Sequence, residues 1–396
     1  MKRNVWLSLI IMIILAGCAT KNAQNKPNNP VQNNVGKQTS NTIINIKYLK
    51  MINSQVGWAV GNNFVGYTTD GGNRWRSVTP FKINAAEQLV SWYFLNAQSA
   101  WIAADDNQIS KVVVYHTANK GEAWHETTIN SYSMGPSWMN FINGQQGWIM
   151  LDLGAAAGSM GVELWRTTNG GQTWARLVHV AFNVNDGSGL PLGGDKTGIS
   201  FLNASTGWIT GSEPGGIAPI LYKSNNSGID WHLQNISLPH LWSSGNRGPT
   251  SISILPPKFF GKGHGIFPAE FTKFITVAGG IPKTIVATDF YNTTNGGITW
   301  HGTEVLQSQN NRPYVGYFLN SRLGWASAGR DIRITRDGGM HWGDIKPNMR
   351  LTNIRELDFT DEKMGFAVVG SGRLLKSVDG GSRWIIVRPR MTRNNE

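Results

Sequence analysis

Thr335-Arg-Asp-Gly-Gly-Met-His-Trp342 and, 42 residues on, Ser377-Val-Asp-Gly-Gly-Ser-Arg-Trp384 are two copies of one eight-residue phrase, Ser/Thr-x-Asp/Asn-x-Gly-x-x-Trp. Five further copies run from Thr68 to Trp75, Thr117 to Trp124, Thr167 to Trp174, Ser224 to Trp231 and Thr293 to Trp300. A second phrase keeps step with the first: an aromatic residue, then Gly-Trp or a near variant six residues on. Its clearest copies are Phe141 to Gly147-Trp148, Phe201 to Gly207-Trp208 and Phe318 to Gly324-Trp325. Weaker copies are Met51 to Gly57-Trp58, Phe94 to Ala100-Trp101, Phe259 to Gly265-Ile266 and Phe359 to Gly365-Phe366. Repeats of this period, built from short apolar runs and Gly-rich turns, mark a propeller or a solenoid.

Each repeat reads as four strands. In the last one Phe359 opens the first strand, Gly365–Val369 forms the second, Arg373–Ser377 the third and Trp384–Val387 the fourth. The Asp-Gly-Gly turn joins the third to the fourth, because Gly takes positive φ without a Cβ clash. The acid or amide of the phrase is positioned to bond backbone amides two residues on. These turn staples are Asp70, Asn119, Asn169, Asn226, Asn295, Asp337 and Asp379. Seven tryptophans belong to the first phrase and five to the second, twelve of the chain's 17, so most are architectural and are expected between neighbouring units. Seven four-stranded units close radially, and the predicted fold is an all-β seven-bladed β-propeller over residues 42–390, with a short polar tail at 391–396. The spacing between phrase tryptophans grows to 69 between Trp231 and Trp300, so insertions fall in the middle blades. Closure of the ring, by docking alone or by a strand from 41–47 on the last blade, stays open.

The N-terminus carries Lys2 and Arg3, an apolar run from Val5 to Leu15, and then Ala16-Gly17-Cys18. A basic start, a short apolar core and small residues before a cut describe a secretory signal, too short to span a bilayer. The segment resembles a bacterial lipobox, which implies a signal peptide at 1–17 and a lipidated Cys18 that holds the protein, outside the cytoplasm, on the cell membrane. Cys18 is the single cysteine, which excludes a disulfide framework and a cysteine-based zinc site. From Ala19 to Asn41 there are seven Asn and no acidic or aromatic residue, a composition that reads as a tether. As a coil, 18–41 spans about 25 Å.

The formal charge is +12, and loss of 1–17 leaves 34 − 24 = +10. A basic exported chain is drawn to anionic lipid, wall polymers or an acidic protein rather than to nucleic acid. Part of that charge, Arg388, Arg390 and Arg393, falls beyond the last expected strand. The longer, more varied loops all fall on the face opposite the phrase turns, where binding is expected. Arg247, Arg312, Arg330, Arg350 and Arg373 come to that face from several blades, and the guanidinium fork suits carboxylate or phosphate. Trp138 and Trp242 lie in loops outside both phrases; they are candidates for a partner contact or sugar stacking, or else are anchors that bury their own loops. The histidine spacings describe no metal site, and no cofactor motif is present.

The first phrase resembles the Asp-box, or bacterial neuraminidase repeat, of sialidases, xyloglucan-active glycosidases and sortilin-type receptors. With the in-phase Gly-Trp phrase, Tyr48 to Val387 looks like the photosystem II stability and assembly factor family. That resemblance implies a non-enzymatic seven-bladed ring that binds membrane-protein intermediates through an arginine-bearing surface. The alternative is a glycan-binding or glycoside-hydrolysing propeller acting on envelope saccharides. The Arg-Ile-Pro phrase of sialidases is missing, and a hydrolase pair would have to come from loop carboxylates such as Asp105, Asp152, Asp195, Glu213, Glu270 and Asp331.

Overall fold

The computed structural model describes residues 44–392 apart from 63, 81–86, 107–109, 185, 214–218, 244–250, 262, 277–279, 281 and 330. Seven antiparallel units of four strands follow one another along the chain and form a seven-bladed β-propeller. Their first strands are Ile46–Met51, Glu87–Phe94, Trp138–Phe141, Asp195–Phe201, Ser251–Ile254 with Lys258–Phe259, Val315–Phe318 and Ile354–Phe359. First strands lie against one another between blades two and three, three and four, six and seven, and seven and one, and so face the centre. Phe359 closes the first strand of its blade instead of opening it, and the same holds for every residue in its position.

The register explains the second phrase. Its aromatic residue ends the first strand and pairs with the glycine that begins the second, as in Phe201 with Gly207 and Phe359 with Gly365. The ring lies over the glycine, so that a Cβ on Gly147, Gly207, Gly324 or Gly365 would come within 2.3 to 2.5 Å of it. Free of that Cβ, the ring reaches the tryptophan of the preceding blade. Phe141 stacks on Trp101 at 3.8 Å, Phe201 on Trp148 at 3.6 Å and Phe359 on Trp325 at 3.7 Å, all nearly parallel. The phrase tryptophan of the same blade meets the ring edge-on, Trp231 against Phe201 and Trp384 against Phe359. Most blade interfaces are thus aromatic sandwiches, with geometry worth about 1 kcal/mol per pair beyond the area buried. The indole N–H groups tie the same joints: Trp101 donates to the Gly170 carbonyl, Trp148 to Ser227 and Trp325 to Gly380, each in the next blade's turn.

Every Asp-box turn has the same bonds. In the first, the Thr68 hydroxyl donates to Asp70 and accepts the Gly72 amide, while Asp70 accepts the Arg74 amide at 2.9 Å. The carboxylate or amide oxygen therefore reaches the amide four residues on, and it is the hydroxyl that bonds the nearer amides. The fourth and fifth residues of each turn hold positive φ, borne by Lys120 at 63° and Ser227 at 71° where the fourth is not glycine. A second staple recurs two residues after the aromatic: Asn53, Asn96, Asn143, Asn203, Asn320 and Asp361 each accept two following amides across the first hairpin.

The ring closes through the C-terminus. Arg390–Thr392 pairs in parallel with Arg74–Arg76, making the first blade five-stranded. Residues 390–392 thus belong to the propeller, beyond the boundary expected at 390, and Ile46 and Lys47 begin the first strand of blade one. Blade five departs from the pattern. Pro256 and Pro257, which lack amide donors, split its first strand, and its second and third strands, Gly265–Thr276 and Pro282–Thr293, run to 12 residues each.

Candidate functional site on the loop face

The fourth residue of each Asp-box donates its amide to the turn between the first and second strands of its own blade, as in Gly380 to Lys363 and Gly338 to Arg322. Both sets of turns therefore share one face. The turns between second and third strands, and the connections between blades, form the other, the loop face.

Arg312, Arg350 and Arg373 are exposed on that loop face, and each lines its own crevice. Arg312 sits with Asn310, Gly329 and Asn353 around a space of about 440 Å³. Arg350 borders one of about 540 Å³ with Arg333, Asp344 and Lys346, and Gln309 lines both. Arg373 borders a third, of about 430 Å³, at the seam of blades seven and one. Its neighbours there are Arg388 and Arg390, which belong to this groove and not to a loose tail. Among the described residues no carboxylate pairs with Arg312, Arg350 or Arg373, whereas Arg333 is held by Asp344 at 3.2 Å. Arg247, Arg330 and Cys18 lie outside the described residues.

Of the two readings open to the isolated tryptophans, Trp242 takes that of a buried anchor. Trp242 stands in the short helix His240–Ser243, is 5 % exposed and stacks on Phe271 at 5.3 Å, so its ring is a core anchor with no free face for a partner. Trp138 is no loop residue; it begins the inner strand of blade three and is half-buried beside Gly198 and Pro256.

Most loop-face carboxylates serve the backbone. Asp105 accepts the Ser133 amide and Asp152 the Gly154 amide; burial pushes both carboxyls above the ordinary range. Burial also raises Glu163, but hydrogen bonds from Ser131, Trp165, His179 and Arg176 outweigh it and hold it ionised. The ammonium of Lys196 bonds five carbonyls between Met160 and Gly194, and burial lowers its pKa to about 8. Burial pushes Glu270 to about 7. Asp152 and Glu163 share blade three, on paired strands, while Asp105, Lys196 and Glu270 stand in three other blades. No set of three or more His, Cys, Asp or Glu among the described residues could hold a metal ion.

A cluster that the loop reading did not reach lies in the centre. Asp358 accepts the Met51 amide across the closing seam and stands 3.9 Å from the Lys50 ammonium. Lys258 donates to the Phe318 carbonyl at 2.8 Å with its ammonium 4.2 Å from the Tyr317 ring centre. Glu356, two residues before Asp358 on the same side of its strand, completes the group. Burial and then the Asp358 charge push its pKa to about 8, against the pull of Lys50. Tyr48 and Trp92 add aromatic rings 5.6 Å apart. The available signal was period 2: polar residues alternating with apolar ones on strands that line a ring centre.

No protein-family model matches the chain, and no curated protein matches it. Among solved structures, YCF48 bound to D1 peptide is 16 % identical, with 77 % of this chain and 84 % of that one covered, at a TM-score of 0.47. YCF48 from Cyanidioschyzon merolae is 17 % identical over 77 % and 86 %, TM-score 0.49. The GH74 xyloglucanase from Xanthomonas campestris is 11 % identical over 88 % and 80 %, TM-score 0.38.

Proposed function

We propose that the protein is an exported, non-enzymatic propeller, lipid-anchored through Cys18, whose loop face binds acidic groups of a protein partner in the manner of an assembly factor. One observation carries the reading: Arg312, Arg350 and Arg373 line neighbouring crevices of one face and no carboxylate of the described chain neutralises them. A guanidinium held on a rigid ring offers a paired-donor fork to a carboxylate with little entropy left to lose. Three of them across blades five to seven and the seam select a broad or extended acidic surface instead of a single small ion. The YCF48 structure records a polypeptide ligand on another propeller; the present reading stands on the arginines.

The test is chemical cross-linking of the lipoprotein in its own cells, followed by capture and mass spectrometry, beside an Arg312→Ala/Arg350→Ala/Arg373→Ala variant. A stoichiometric partner that the variant loses supports the reading; capture indifferent to the three arginines removes it. A glycan-active ring is the second reading. It is favoured by the central carboxyl of Glu356, whose raised pKa keeps it protonated at neutral pH as a general acid requires, beside the aromatic pair Tyr48 and Trp92. Release of reducing ends from envelope saccharide that vanishes in Glu356→Gln would favour it over the binding reading.

A further inference from the structure

The loop face carries apolar side chains as well as arginines. Phe182 is 81 % exposed, Met134 71 % and Phe274 65 %. Phe182 follows the outer strand of blade three, Met134 lies in the connection between blades two and three, and Phe274 stands near the tip of the long blade-five hairpin. Lys273 precedes Phe274, and Lys283 pairs across the hairpin with Ile275. Acids in the neighbouring sector, Asp105, Asp152 and Asp186, accept backbone amides. Across the ring, the seam groove has an apolar floor that includes Ile44, Val387 and Pro389, and a rim of Arg373, Arg388 and Arg390. The described chain begins in this groove, at Ile44.

The opposite face also exposes apolar residues, Ile229, Ile298, Met340 and Val378. There, however, Asp230, Asp337 and Asp379 stand next to them or within a few residues, and Arg336 is paired with Glu362. The loop face joins protruding apolar tips at Phe182, Met134 and Phe274 with the unneutralised cations of the seam groove. A protein partner would need a separate socket for each tip, whereas a bilayer surface receives them all and sets phosphates against the cations.

We infer that the loop face docks on an anionic phospholipid bilayer, with Phe182, Met134 and Phe274 entering the headgroup layer and the seam groove seating a lipid phosphate beside Arg388 and Arg390. The inference rests on the reading of a membrane-anchored ring and deepens it: the arginines look toward the membrane, so the protein partner is one embedded there.

The experiment uses the chain from residue 19 to 396, which keeps the whole ring and its closing strand but has no acyl chain. Its flotation is compared with phosphatidylcholine vesicles and with vesicles that also contain phosphatidylglycerol. Binding is expected only to the anionic vesicles and is expected to weaken with salt. At about fivefold per cation near an anionic surface, Arg388→Glu/Arg390→Glu lowers partition by about 25-fold or more. Phe274→Ser, far from the seam, lowers it about tenfold. Thermal melts check that each variant folds, and the Phe274 variant stands by itself if the seam variant does not. Equal binding to both vesicle types, binding to neither, or binding indifferent to both variants overturns the inference. Loss of vesicle binding with partner capture intact would sink the docking surface alone; vesicle binding without any captured partner would sink the partner reading alone.

Discussion

Glu356 shows how much a single position owes to its surroundings. Its folded pKa of about 8 lies above the ordinary 4.5, so between those values the folded protein holds a proton that the unfolded chain has lost. Its contribution is therefore fully favourable below about pH 4.5 and is lost as pH rises through 8. Lys258, lowered from 10.5 to about 8, acts in the next window up and with the opposite slope, its penalty fading as pH rises. Glu356→Gln is expected to flatten the fall in melting temperature between pH 5 and 8 and to melt higher than wild type at pH 8. An unchanged slope in calorimetry would show that the ring centre is wetter than its packing implies. Gly207 makes a second residue-scale case. A Cβ there meets Phe201 at 2.4 Å, and Phe201 cannot retreat because Trp148 stacks on it at 3.6 Å. Gly207→Ala should cost about 3 kcal/mol in chemical denaturation; a loss below about 1 kcal/mol would mean that the stack yields. Glycines at these places were readable as a motif, but the ring above them was not, since sequence shows spacing and not which side chain fills the space.

At the scale of the element, the Asp-box turn is a closed unit. Asp379 accepts the Ser377 hydroxyl at 3.0 Å and the Arg383 amide at 2.7 Å. Asp379→Ala removes both bonds on a solvent-facing turn and should destabilise by about 1–2 kcal/mol, read from denaturant midpoints at constant slope. All seven turns were legible because Gly at positive φ, the short polar side chain and the tryptophan are each demanded by local geometry. The matching staple at Asn53, Asn96, Asn143, Asn203, Asn320 and Asp361 is as regular but passed unread, since Asn two places after an aromatic has no distinctive neighbours. Arg312, Arg350 and Arg373 stand on the loop face that the strand order implied, while Arg247 and Arg330 lie outside the described residues. Sequence left Trp242 between anchor and contact residue, because an insertion hides its own packing: the hairpin it covers, through Phe271, shows why the ring turns inward.

For the whole molecule, the ring is as strong as its closure. One seam is tied by the Asp358 bond to the Met51 amide and by Arg390–Thr392 on the edge of blade one, with Met391 packed against the seam core. Removing residues 388–396 should lower stability by about 3–5 kcal/mol, from lost backbone bonds and exposed apolar surface, visible as a lower and broader calorimetric transition. Seven blades could be counted from repeats alone; the strand that closes them could not, because Arg390–Thr392 carries no phrase and its pairing spans the full length of the ring. The central cluster was hidden for the same reason: Lys50, Lys258, Tyr317 and Glu356 become neighbours only when the circle is complete.

The central claim is that the loop face is the partner face. It is tested most directly by placing a photo-cross-linking residue at position 350 or 373 on the loop face, or at 299 or 382 in the Asp-box turns, and illuminating the full-length protein in its own cells. The account predicts one discrete adduct from 350 and 373 and none from 299 and 382. Adducts from the Asp-box positions alone, or from all four alike, would contradict it.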